Sequence, residues 1–275
     1  MIMLAVWAFG LAACAGSGAV VGNGGSGSSA PTTLADPDAL LVEVRWEGGF
    51  APPDLLVNRL PRFALYGDGT LYFEGAVPMI FPGPMLPPVQ QVTIGPEALA
   101  EVLQLVEDTG LPEITEERND EAASLVADAP DTVVIYHDDA GAHSFSVYGL
   151  DFVETRDVRV AQLRTLVQNL ERLAFESGTP REYRPQRVQV QVAAVEDISD
   201  QELANFQPWP LSVTFAELVP SAFDFRCRAF HGEEGERLLG AFSDADTATY
   251  WETEDGIIYR ILARPLLPGE EACPG

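Results

Sequence analysis

The 275-residue chain carries 42 Asp and Glu against 16 basic side chains, all of them Arg because the sequence contains no Lys, for a formal net charge of −26. Such a polyanion is a poor partner for nucleic acid, whose phosphates need a positive surface, and for direct docking on anionic lipid. Abundant Ala, Gly, Pro and Arg fit a GC-rich genome, and a high-salt habitat would select the same acidity.

The chain opens MIMLAVWAFGLAACAGSG. Its apolar stretch, Ile2 to Ala13, is too short to cross a bilayer as a helix, which needs about 20 residues, and has the length of a signal-peptide apolar region. Leu11-Ala12-Ala13-Cys14 resembles the lipobox of bacterial lipoproteins, in which the signal peptide is removed just before a cysteine linked to a diacylglycerol. By that resemblance residues 1–13 are a signal peptide and Cys14 is the lipidated first residue of the mature chain. No Arg or Lys precedes the apolar stretch, a departure from the usual pattern. Residues 14–38 follow as a Gly/Ser-rich flexible linker, about 23 residues of which span roughly 26 Å as a coil.

From residue 39 the pattern changes. ALLVEVRW (39–46) alternates and predicts a strand. RFALYG and TLYFEG (62–67 and 70–75) flank Asp68-Gly69, a dipeptide that favours a type I′ hairpin turn. PMIFPGPMLPP has prolines at 78, 82, 84, 87 and 88, which predict an extended surface crossover or edge segment. VQQVTI (89–94) is a further possible strand. Pro96 then opens a helix with Leu99, Val102, Leu103 and Val106 on one face, stopped by Gly110 and Pro112. A polar stretch leads to TVVIYH (132–137), a DDAG turn and AHSFSVYG (142–149), a second hairpin. Another amphipathic helix starts near Asp157, with Leu163, Leu166, Val167, Leu170 and Leu173 on one stripe. The expected fold class is therefore α+β over residues 39–178, in the order ββ(β)αββα, an antiparallel sheet with helices on one face.

A connector at 181–185 leads to a smaller α+β unit, residues 185–275. QRVQVQVAAVE (186–196) reads as a strand, Ser199 to Glu202 as the capping box of a short helix, and FDFRCRAF (223–230) as a strand. GERLLGAF (235–242) reads as a helix, and residues 247–268 as a hairpin turning near Glu254-Asp255-Gly256. With Cys14 set aside, Cys227 and Cys273 are an even pair in an exported chain, where disulfides persist. Bonded, they close a loop of about 46 residues, worth roughly 4 kcal/mol in the chain-entropy picture; a two-Cys metal site lacks nearby His or Cys partners.

Candidate sites are few. A propeller blade at LYGDGTLYFEG lacks a repeat at the required period, and GDG lacks phosphate-loop spacing, while a Walker-type loop needs the Lys this chain does not have. His137, Asp138, Asp139 and His143 are the densest potential ligand set, but pairing His137 with Ala142 puts the two imidazoles on opposite faces. Asp244, Asp246, Glu252, Glu254 and Asp255 fail the EF-hand order. GxSxG, SxxK and HExxH motifs are absent. Trp46, Trp209 and Trp251, with the proline run, line either a binding groove or a core.

FALYGDGTLYFEG, the helix ending EDTGLP, and VADAPDTVVIYHDDAGAHSFSVYGL resemble a family of uncharacterised bacterial envelope proteins over about residues 39–175, with one residue inserted between Pro130 and Thr132. TATYWETEDGIIYRILARPLLPGEEAC is similar to the C-terminal part of lipoproteins of high-GC bacteria. The resemblance implies an envelope location and carries over no site residue beyond Cys14. The expectation is a non-enzymatic binding or assembly module on the outer face of the cytoplasmic membrane, attached through an N-terminal lipid, with an envelope protein as partner and without nucleic acid. An envelope-acting hydrolase using acidic residues, or a cation- or small-ligand-binding lipoprotein, stays open. No catalytic, metal or cofactor residue is assigned, and oligomeric state is left open.

Overall fold

Strand β1 (Leu40–Glu47) sets the frame, because its alternation sends Val42 and Val44 to one side of a sheet and leaves Glu43 and Arg45 on the other. This computed structural model describes residues 36–77, 80–152, 154–195 and 205–273. The expected signal peptide, the expected lipidation site Cys14, most of the expected linker and the capping box expected at 199–202 lie outside those residues. Among the described residues no helix is long and apolar enough to cross a membrane.

After the short helix α1 (Pro53–Val57), strands β2 (Phe63–Tyr66) and β3 (Thr70–Glu74) form the first hairpin. Its turn differs from the expected type I′. Gly69 N–H donates to Tyr66 O at 3.0 Å, so Gly67 and Asp68 are the central residues and only Gly69 has positive φ, +83°. The Asp68 carboxylate accepts from both Thr70 N–H (2.7 Å) and Thr70 Oγ1 (2.8 Å). These bonds favour a three-residue loop in which Gly69 alone takes the left-handed position. A Cβ there would meet Ile94 O at 2.7 Å.

The chain continues through β4 (Val89–Thr93), α2 (Pro96–Asp108), β5 (Glu116–Asn119), β6 (Asp131–Asp138), β7 (Gly141–Tyr148), α3 (Val158–Glu176) and β8 (Arg181–Glu182). These strands make one sheet ordered β5-β7-β6-β1-β2-β3-β4-β8. It is mixed rather than purely antiparallel, because β5 runs parallel to β7. Val102 and Val106 of α2 and Leu163, Leu166 and Leu170 of α3 join Val44, Leu65, Leu71, Val134 and Phe145 in one core. Asp157 caps α3, its Oδ1 accepting from Arg159 and Val160 N–H.

The second sheet contains β9 (Arg187–Ala194), β10 (Asn205–Pro208), β11 (Val219–Pro220), β12 (Arg226–His231), β13 (Thr249–Glu252) and β14 (Ile258–Pro265), with α4 (Gly232–Ser243) between β12 and β13. Its order is β10-β13-β14-β9-β12-β11, and it too is mixed, β10 running parallel to β13. Val188, Val190, Phe230, Leu238, Phe242, Trp251 and Ile261 fill its core. The proline run contributes to that core: Met85 is buried in it, and Gly83 exchanges hydrogen bonds with Thr247. Within its described residues the run is therefore a surface crossover, exposed at Ile80 and Phe81, with a buried anchor at Met85.

Many contacts between the sheets involve β14 and the C-terminal segment after it. Leu267 packs on Ala64, Tyr66, Tyr72 and Val89, on the sheet face opposite α2 and α3. Tyr66 and Tyr183 hydroxyls donate to Pro268 O and Leu266 O at 2.7 and 2.9 Å. Asn58 Nδ2 reaches Ala263 O at 3.0 Å, and Arg264 Nη1 lies 2.6 Å from Glu270. Cys227 on β12 is bonded to Cys273, 46 positions away in sequence, with Cα atoms 5.5 Å apart.

Candidate functional site at the loop end of the eight-stranded sheet

Three loops meet where β1 ends, β6 begins and β7 ends. They are residues 48–52, 120–130 and, among the described residues, 149–152 with 154–157. Phe50 N–H donates to Asp128 O at 3.2 Å, tying the first loop to the second. Tyr148 Oη ties the second loop to β7, donating to Val126 O (3.1 Å) and accepting from Ala129 N–H (3.0 Å). Gly149 N–H donates to Pro130 O at 3.0 Å, and Thr155 Oγ1 to Glu121 Oε2 at 3.3 Å, joining second and third. Gly48, Gly49, Asp128 and Gly149 all have positive φ. Such backbone is concentrated where surrounding structure over-determines it.

Each loop holds one large apolar side chain in solvent: Phe50 at 91% exposure, Leu125 at 69% and Phe152 at 62%. Between the second and third loops lies a small cleft of about 40 Å³. Ala122, Leu125, Leu150 and Val160 give it apolar walls, and Glu121, Glu154 and Thr155 give it polar ones. Arg164 is pinned in its lining, Nε and Nη2 both donating to Leu150 O at 3.2 and 2.7 Å. On the flank, Arg62 stacks on Trp46 with its guanidinium carbon 4.9 Å from the ring centroid, and pairs with Asp151 and Glu171.

Apart from Trp46 on the flank, the residues singled out in the sequence lie elsewhere. Trp251 is buried and Trp209 packs against it in the second core, 6.0 Å between rings, so they line no groove with Trp46. Asp246 Oδ1 accepts from Ala248 N–H and Thr249 Oγ1, shaping a turn. His137 pairs with Ala142 and Tyr136 with His143, which separates the imidazoles onto opposite faces. Among the described residues no group of three or more His, Cys, Asp or Glu is placed to hold a metal ion.

His143 has an acceptor at each ring nitrogen, Ile114 O at Nδ1 and Asp138 Oδ1 at Nε2 (3.1 Å). Two acceptors require two N–H donors, the imidazolium. The bond to Ile114 O and then the Asp138 carboxylate raise its pKa above the ordinary value. The resulting stabilisation is complete below pH about 6.5 and is lost as pH rises through the folded-state pKa. Denaturant midpoints measured across this range are expected to fall more steeply for the native chain than for His143→Gln; parallel curves would refute the linkage.

Sequence reasoning misses Phe50, Leu125 and Phe152 because each lies in an irregular loop whose apolar residues follow neither the strand nor the helix period. A scan against protein-family models, a search of curated proteins and a search of solved structures each returned no match to this chain.

Proposed function

We propose that this chain is a lipid-anchored, extracytoplasmic binding module of a bacterial cell envelope, with the three-loop end of the eight-stranded sheet as its binding face. The observation that carries the reading is that Phe50, Leu125 and Phe152 stand exposed on three loops tied together by hydrogen bonds, with Leu125 on the wall of the cleft between the second and third. Exposed apolar side chains scattered singly need no explanation, whereas several gathered on cross-linked loops around a concavity are what a recognition surface requires. Of the readings the sequence leaves open, this is the one the loop end favours.

Attachment rests on Leu11-Ala12-Ala13-Cys14 and the Gly/Ser tether behind it. A diacylglycerol supplies two acyl chains, enough for stable anchoring, whereas one chain binds marginally. Expressed in a bacterial host, the native chain is expected in the membrane fraction and its Cys14→Ser variant in the soluble envelope fraction or the medium. Membrane retention of the serine variant would overturn the anchor.

A further inference from the structure

Strand β5 is held in the first sheet without apolar burial. Its residues, Glu116–Asn119, are all exposed or half-buried. What fixes them is the parallel ladder to β7 and a set of partly exposed ion pairs, Glu117 with Arg159 and Arg118 with Asp120 and Asp131. Pairs of this kind contribute little each. The loop 120–130 continues directly from the strand, and Asn119 sets its course, Oδ1 accepting from Glu121 N–H at 3.1 Å and Nδ2 donating to Asp157 at 3.3 Å. Just ahead of β5, Ile114 O is hydrogen-bonded to His143 of β7.

We propose that protonated His143 latches β5 and, through it, the 120–130 loop of the three-loop end, so that raising the pH loosens that side of the face. The charged ring gives one N–H to Ile114 O and the other to Asp138 Oδ1. A neutral ring has a single N–H and must set a lone pair against one of the two oxygens. Asp138 Oδ1 is not free to swing away, because Ala140 and Gly141 N–H donate to the same atom at 2.8 and 3.1 Å. The clash is therefore relieved by rotating the ring, and that rotation breaks the bond to Ile114 O. Alternation puts Tyr136 of β6 and Glu117 of β5 on the same face as His143, with Arg159 of α3 paired to Glu117. Asp139 lies in the turn beside Asp138, and Glu107 at the end of α2 acts with both on Tyr136. Arg159 is the one cation among these groups and is matched by its own carboxylate, so the surroundings favour the imidazolium. On the opposite face burial lowers the pKa of His137, which places its titration below that of His143.

The link to recognition rests on the loop end being the binding face, and the measurement is one that does not depend on binding. Hydrogen exchange of the purified full chain is followed at about pH 5.5 and about pH 8.5, either side of the ordinary imidazole value of about 6.5. Protection factors divide out the intrinsic pH dependence of exchange, and the amides of α3 serve as the internal reference. Protection over residues 115–126 is expected to fall about fivefold between the two conditions, the shift produced by losing one hydrogen bond of ordinary net strength. His143→Gln is expected to show the same protection at both. Asp138→Asn, which removes the carboxylate charge, is expected to keep the fall and move its midpoint to lower pH. An unchanged native value, an equal fall in His143→Gln, or an unmoved midpoint in Asp138→Asn overturns the latch. A fall confined to residues 115–119 overturns its coupling to the loop. Each of these failures leaves the binding face standing, since that reading rests on the exposed Phe50, Leu125 and Phe152.

Discussion

Replacing Cys227 and Cys273 together by serine is expected to lower the unfolding free energy by about 4 kcal/mol, the chain-entropy value for a loop of this length. The two residues are 46 apart in sequence, and the bond fixes the segment after β14 to strand β12 of the same sheet. That segment does more than end the chain. Leu267 fills a position against Ala64, Tyr66, Tyr72 and Val89. Pro268 O and Leu266 O are the acceptors for Tyr66 and Tyr183, whose ionisation burial has pushed up, to about 12 for Tyr183. Cys273 N–H donates to the buried Gln189 side chain at 2.8 Å. Without the bond these contacts must close a free tail. Denaturant unfolding of the double variant beside the native chain measures the difference, and a loss below about 1 kcal/mol would mean that the tail holds itself in place.

Truncating Arg264 is expected to cost about 3–5 kcal/mol, the range for breaking a buried ion pair by removing one partner. Arg264 is 5% exposed, and its Nη1 lies 2.6 Å from Glu270. Because Glu270 is partly solvated, the lower half of that range applies. Glu43 faces the same seam from β1, and burial is the main cause that raises its pKa, with Arg45 and Arg264 opposing. Arg264→Ala therefore leaves two carboxylates with less compensation. An acid whose folded pKa is raised destabilises the fold when ionised, and the penalty is relieved as pH falls through that pKa. The loss is thus expected to be larger at neutral pH than under acid conditions, where the carboxyls take up protons. Pairing Arg264→Met with Glu270→Gln is expected to restore most of the stability, since an apolar replacement removes both charges together. Equal losses at both pH values would show that packing of the Arg264 stem is what matters.

Periodicity accounts for most of what the sequence reveals of the fold. Leu163, Leu166, Val167, Leu170 and Leu173 are all buried on α3, and the alternation of 132–148 gives β6 and β7. Strand β5 is invisible to the same reasoning. Its sequence, EERN, has no apolar residue, and it is a strand because it borrows the parallel edge of β7. Charge on an edge strand is also what discourages further pairing. Met85 escapes because proline density describes backbone stiffness and says nothing about where one methionine points. The loop end escapes for a related reason: Phe50, Leu125 and Phe152 are about a hundred residues apart from first to last, and only the pairing of β1, β6 and β7 brings them together.

The lower face of the first sheet has a timing consequence. Its hydrophobic patch around Tyr66 and Tyr72 is covered by Tyr183 and by Leu267, the latter about 200 positions further along, with the Tyr66 acceptor lying 202 residues downstream. Non-local closure of this kind slows folding. A chain emerging from its amino end first would present a finished hairpin with one bare aromatic side throughout most of its synthesis. During that interval the patch stays open to solvent until the segment after β14 arrives to cover it.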